Sequence, residues 1–205
     1  MNFKIKNAHE NPLDILLTSL SSSMNPVFKV TGHTPNIITT YSFLTGILSI
    51  YFLYRGNLAL FSILFFLSYY FDCCDGSFAR EYGMESRFGD LYDHITDVVV
   101  FSLIVLVVLV RYRTSIDLLA IVVFAGFLFL TMMHLGCQQC NCNDCDGTET
   151  LDSLRTLCAD RSHIAWTRYF GNGTFIAVII GLVWYLDWKK INLNGSAASE
   201  AGHYA

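Results

Sequence analysis

Apolar residues fill this chain in long runs separated by short polar breaks. The spans they predict cover residues 36–54, 58–82, 86–110, 116–135 and 173–188, and most approach or exceed the roughly 20 residues a helix needs to cross a bilayer core. Arg55-Gly56-Asn57 makes the first turn, Arg111-Tyr112-Arg113 closes the third run, and Trp184, Tyr185 and Trp188 anchor the last at an interface. Ahead of them, Asn11-Pro12 marks a helix start. Leu13, Leu16, Leu17, Leu20 and Met24 then recur at helical spacing opposite Asp14, Ser19, Ser21 and Ser22. That pattern predicts an amphipathic helix lying on the membrane surface; a helix packed on other protein fits equally well. Residues 26–35 read as a linker. A sixth span over 148–169 is opposed by Asp152, Arg155, Asp160, Arg161 and Arg168. The prediction is an all-α integral membrane bundle of five to six transmembrane helices preceded by an N-terminal interfacial helix. It divides into a juxtamembrane segment (1–35), a transmembrane domain (36–188) with a Cys-rich cytosolic loop (136–170), and a polar tail (189–205).

Composition agrees. With 53% hydrophobic residues and mean hydropathy +0.43, the chain is too apolar for an ordinary soluble domain of 205 residues. A net charge of -4 offers nothing to attract nucleic acid. The polar start, MNFKIKNAHENPLD, lacks the pattern of a signal peptide.

The informative conflict lies where two runs meet acids. Residues 98–110 cover only roughly 20 Å as a helix, against a bilayer core about 30 Å thick. A span there must therefore include Asp93 and Asp97. The run over 58–71 likewise carries Asp72 and Asp75 toward the membrane. Ionisable residues held there are costly and functional by default. Asp72, Asp75 and Ala79 share one helical face, as do Gly89, Asp93 and Asp97. Two such stripes facing one another make an oxygen-rich nest suited to a hard divalent cation. Gly76, Ala79 and Gly89 leave room for a bulky polar ligand, and Arg80 offers a fixed cation for phosphate.

Written as a pattern, the stretch is D-x2-D-G-x2-A-R-x8-G-x3-D-x3-D, filled by Asp72, Asp75, Gly76, Ala79, Arg80, Gly89, Asp93 and Asp97. It resembles the signature of the CDP-alcohol phosphotransferase (CDP-alcohol phosphatidyltransferase) family at every fixed position. The resemblance implies an integral-membrane transferase of phospholipid synthesis. Such an enzyme moves a substituted phosphate group from a CDP-linked donor to an alcohol and releases CMP. It also implies Mg²⁺ or Mn²⁺ on Asp72, Asp75 and Asp93, with Asp97 as base and further ligand. Gly76, Ala79 and Arg80 would line the cytidine and phosphate site, with Ser86 on phosphate, Gly89 beside them, and Asn36 approaching the donor. A homodimer is implied too, with the site facing the cytosol, in the endoplasmic reticulum membrane of a eukaryote. Compact length, Ser86-Arg87-Phe88-Gly89 and Thr96-Asp97 look like phosphatidylinositol synthases, whose donor is CDP-diacylglycerol. Tyr92-Asp93-His94 looks like choline and ethanolamine phosphotransferases, whose acceptor is the lipid. A divalent-cation transporter or metal sensor explains the acids but not Gly76, Ala79, Arg80 and Gly89.

Two features stand apart from the motif. Cys137, Cys140, Cys142 and Cys145 form C-x2-C-x-C-x2-C, near His134, Cys158 and His163. A solvated reduced loop is expected, with structural zinc and disulfides as alternatives. Sequons stand at Asn172 and Asn194, and with the acids in the cytosol only Asn194 is open to glycosylation.

Overall fold

The computed structural model describes residues 9–141 and 149–203, with side chains described for 9–141 and 153–195. Seven helices follow in order: α1 (Pro12–Val30), α2 (Pro35–Arg55), α3 (Leu58–Tyr82), α4 (Arg87–Tyr112), α5 (Leu118–Asn141), the single turn α6 (Ile164–Thr167) and α7 (Asn172–His203). Helices α2, α3, α4, α5 and the stretch containing α7 are long and apolar enough to cross a membrane. No strand occurs among the described residues.

Local chemistry sets the boundaries. Pro35 opens α2 at a position where its missing N–H costs nothing. Gly56 ends that helix at φ 81°, a left-handed conformation that a side chain disfavours. Asn57 then caps α3 by accepting the Leu60 N–H at 3.1 Å. Ser86 caps α4 and Asp117 caps α5 in the same way, accepting the Gly89 and Ala120 N–H groups at 3.0 and 2.9 Å. Lys189 and Tyr185 of α7 also donate to Asp117, at 2.6 and 2.7 Å. The Lys189 ammonium foremost holds that carboxyl below its usual range.

Helix α2 packs against both α3 and α4. Its contact side carries Ser42, Gly46 and Ser49, small residues that let helices approach closely in lipid. A Cβ on Gly46 would lie 2.9 Å from Val100 and 3.0 Å from Ser68. Beside it Ser42 and Ser68 exchange hydrogen bonds, each hydroxyl donating to the other's carbonyl at 2.8 Å. The main core lies in the half of the bundle away from the acids. It joins Leu53, Phe61, Phe65, Val100 and Ile104 to Phe175, Ile179, Val183 and Leu186 on one face of α7.

Helix α1 has three faces, which reconciles the two readings of its sequence. Leu17, Ser21, Asn25 and Phe28 are buried against the bundle. Leu16, Leu20, Met24, Val27 and Val30 form an exposed apolar stripe. The third face is polar. The helix also runs through Pro26 to Val30, where the sequence predicts a linker. Phe28 explains this, because it packs on Ile38, Cys74 and Phe78 and holds the last turn in place.

Asp14 ties α1 down by accepting the Tyr69 hydroxyl at 2.6 Å and the Gly173 N–H at 3.0 Å. Burial pushes its carboxyl up to about 6, against the pull of those two hydrogen bonds. Folding therefore binds this proton more tightly than the unfolded chain does. Its contribution is complete below about pH 4 and is lost as pH rises through about 6. Thermal unfolding of the detergent-solubilised protein should accordingly fall by a few degrees between pH 5 and pH 7.5. In Asp14→Asn, which keeps an acceptor without the charge, that part of the slope should vanish.

Past α5 the chain folds back as short 3-10 turns, Glu149–Leu157, Arg161–His163 and Arg168–Phe170, lying on α5. Gly136 has no room for a Cβ because the Leu154 carbonyl sits against it. This approach brings the Cα atoms of Cys137 and Cys158 to 4.9 Å, and the two form a disulfide where the sequence predicts a reduced loop. Sequence separation hides the pair, since the partner of Cys137 lies outside its own C-x2-C unit. His134 is buried and pairs with Thr167 at 3.2 Å, and Cys140 keeps a free thiol. Cys142 and Cys145 lie outside the described residues.

Candidate metal centre and substrate site

Antiparallel α3 and α4 bring their acidic ends to the same end of the bundle. One carboxylate oxygen from each of Asp72, Asp75 and Asp93 lies within 4.8 Å of the others. Asp75 is the most enclosed, at 5% exposure. Asp97 sits one turn further along α4, exposed and outside that close set. The donors are all hard oxygens, the set that Mg²⁺ and Mn²⁺ prefer over softer metals. Three acids this close repel unless a cation or a shared proton lies among them, and a hard divalent ion fits the oxygen donors present.

Helix α2 contributes what the motif does not reveal. Thr39, 2% exposed, donates its hydroxyl to Asp75 Oδ2 at 2.5 Å. The bond fixes which way that carboxylate points, and orienting partners of this kind tune metal ligands. Sequence reasoning missed Thr39 because ITT inside an apolar run looks like ordinary helix. Next to it, Thr40 pairs with the Tyr92 hydroxyl at 3.1 Å and joins α2 to α4. Thr39→Val keeps size and removes the hydroxyl. It should raise the Mn²⁺ concentration needed for half-maximal turnover by about tenfold while leaving thermal stability within a few degrees.

Small residues line the opening around the acids. A Cβ on Gly76 would lie 3.1 Å from a guanidinium nitrogen of Arg80, so that cation lies across the glycine. A Cβ on Gly89 would sit 3.1 Å from Ser86 Oγ and 3.2 Å from Asn36 Oδ1. Asn36, Ser86 and Gly89, from two different helices, thus meet at one point. Ser86 spends its oxygen as acceptor for the Gly89 N–H, which leaves its O–H to donate elsewhere. Ala79 is half-buried, and its carbonyl accepts the Met84 N–H at 2.9 Å where α3 ends. Cys74 is fully buried among Phe28, Ile38 and Phe78. His94 points its Nδ1 at the Asp90 carbonyl, 2.7 Å away.

Five helices long and apolar enough to cross a membrane, with three carboxylates at one end placed where they could hold a metal ion, define a multi-pass membrane protein. Its family follows from the sequence match. The family model for CDP-alcohol phosphatidyltransferase matches residues 32–146, more than half of the chain, and the chain belongs to that family. The matched region contains all five aspartates from Asp72 to Asp97, together with Asn36 and Thr39. Members transfer a substituted phosphate group from a CDP-linked donor to an alcohol. Neither a search of curated proteins nor one of solved structures returns a match.

Proposed function

We propose that this protein is a phosphatidylinositol-synthase-like transferase that takes CDP-diacylglycerol as donor and a polar alcohol as acceptor, releasing CMP. The observation that carries the transfer chemistry is the convergence of Asp72, Asp75 and Asp93 within 4.8 Å. These three would hold Mg²⁺ or Mn²⁺, which would supply positive charge to offset that of the donor's pyrophosphate. Arg80, lying across Gly76, supports a donor phosphate from the side. Gly76 and Ala79 leave space for the cytidine, and Asn36, Ser86 and Gly89 close the opposite edge. Asp97, exposed and outside the close set, takes the proton from the alcohol. The alcohol oxygen then bonds to the lipid-bearing phosphorus as the bond from that phosphorus to CMP breaks.

The choice of donor rests on what Tyr92 and His94 do. They are the residues that resemble the choline and ethanolamine enzymes. Here the Tyr92 hydroxyl pairs with Thr40 and His94 with the Asp90 carbonyl of its own helix, bonds that support a structural role for both and so favour the phosphatidylinositol-synthase context in Ser86-Arg87-Phe88-Gly89. The test is an acceptor panel with radiolabelled CDP-diacylglycerol and, separately, CDP-choline plus diacylglycerol. Product only from CDP-diacylglycerol with a polyol supports this reading. Product only from CDP-choline replaces it with the amino-alcohol one.

We further propose a membrane homodimer with the acids facing the cytosol, in the endoplasmic reticulum membrane if the source is a eukaryote. The positive-inside balance favours that orientation modestly. The Cys137–Cys158 disulfide, at the same end as the acids, weighs the other way, since disulfides persist in oxidising compartments. Glycosylation decides between them. In microsomes a glycosidase-sensitive mass shift should appear and should vanish in Asn194→Gln; the absence of any Asn194 glycan turns the topology over. Asn172 opens α7 at the end that carries the acids, so in this orientation it stays on the cytosolic side.

A further inference from the structure

At the end of the bundle away from the acids, Tyr54, Arg55, Val110, Arg111 and Lys190 line a cleft of about 420 Å³. Its three cations come from the last turns of α2 and α4 and from the middle of α7. Two of them are fixed. Arg111 donates to the Tyr54 carbonyl at 3.0 Å and to the Tyr112 hydroxyl at 3.2 Å. Its guanidinium lies over Gly56, where an added Cβ would displace it. Lys190 donates to the Arg111 carbonyl at 2.9 Å and lies over the Tyr112 ring. The helix ends they touch carry only partial negative charge. Those contacts therefore offset a fraction of three full positive charges, and each side chain keeps further donors. The acids of this end are engaged beside the cleft, Asp187 by the Tyr112 hydroxyl at 3.1 Å and Asp117 by Lys189 and Tyr185.

Depth identifies the ligand class. Tyr51, Tyr54, Trp184 and Trp188 are all exposed at this level, the aromatic belt that marks the boundary between headgroups and hydrocarbon. Tyr54 and Val110, 64% and 65% exposed, give the cleft an apolar lip on the side of the lipid chains. An occupant that fits this depth carries an anionic head on an apolar tail, and phosphate is the anionic group that membrane lipids offer there. We propose that this cleft binds the phosphate headgroup of an anionic glycerophospholipid in the leaflet opposite the acid cluster. The site is independent of the transfer reaction and of its donor.

Native mass spectrometry of the purified full chain in mild detergent tests it, with phosphatidic acid, phosphatidylcholine and inorganic phosphate as probes. Phosphatidic acid should remain bound at least about tenfold more tightly than phosphatidylcholine, and Arg55→Gln should weaken it about fivefold, as expected for one basic group at a membrane surface. Arg113→Gln, at the same end but outside the cleft, should change it less than twofold. Arg55 is exposed and makes no packing contact with the acid cluster, so CMP release by Arg55→Gln should match the wild type and show that the variant is folded. Equal binding of the two lipids, or equal effects of Arg55→Gln and Arg113→Gln, overturns the site. Inorganic phosphate binding as tightly as phosphatidic acid overturns the lipid as its occupant.

Discussion

Asp75→Asn and Asp93→Asn should each reduce CMP release at least about a thousandfold, because metal clamping supplies several kcal/mol to phosphoryl transfer. Asp72→Asn should behave alike. Asparagine keeps the shape of the side chain and removes the charge, so the deficit belongs to the ion and not to packing. A second readout separates this result from simple misfolding. Three carboxyl groups within 4.8 Å must either repel one another or take up protons in metal-free protein, and both weaken the fold. The variants should therefore unfold in EDTA at the same temperature as the wild type or higher, even though they are inactive. A dead variant that also melts well below the wild type would mark these acids as structural. Asp97→Asn belongs to a different class, since Asp97 lies outside the close set. It should lower turnover more than it changes the apparent affinity for donor, and its pH–rate profile should lose the ascending limb that a base imposes.

Gly76→Leu carries the second large effect. The position faces the Arg80 guanidinium at 3.1 Å from where a Cβ would stand. Even a methyl group must move that cation, and an isobutyl group fills the space in front of it. The donor KM should rise by about two orders of magnitude, the scale expected when a positioning contact is misplaced, while acceptor KM changes little. Gly76→Ala should fall between the two, because the Arg80 terminus can yield a few tenths of an ångström. Normal donor affinity in Gly76→Leu would place the cytidine and phosphate elsewhere. Arg80→Lys should also weaken donor binding, since a point charge lacks the planar fork that lies across the glycine.

The features behind these expectations are legible in the sequence to different degrees. The spans are, because apolar runs of about 20 residues bounded by Gly56, Asn57 and Ser86 leave the chain few alternatives. The pairing of acidic faces is legible from periodicity alone: i, i+3 in α3 and i, i+4 in α4 leave each pair on one side. What no periodicity could show is the third helix. Thr39 reaches Asp75 because α2 packs on both neighbours through Ser42, Gly46 and Ser49. That arrangement depends on contacts between residues far apart in the chain. Pro26 misleads for the opposite reason, since a strong local breaker is overruled by Phe28 packing on Ile38 and Phe78. Asp14 reads as one more polar residue on an amphipathic helix until Tyr69 and Gly173 are placed against it. Cys137 and Cys158 are joined by a fold-back that rests on Gly136 meeting the Leu154 carbonyl. No Cys spacing encodes that approach.

Electron paramagnetic resonance of Mn²⁺ added to the purified, detergent-solubilised protein is the most direct test of whether the facing Asp pairs form an ion site. Wild-type protein should remove Mn²⁺ from the free hexaaqua signal at micromolar concentrations, and Asp75→Asn and Asp93→Asn should leave that signal undiminished. Undiminished binding in both variants, or CMP release by the wild type that persists in excess EDTA, would contradict the metal centre and the chemistry built on it.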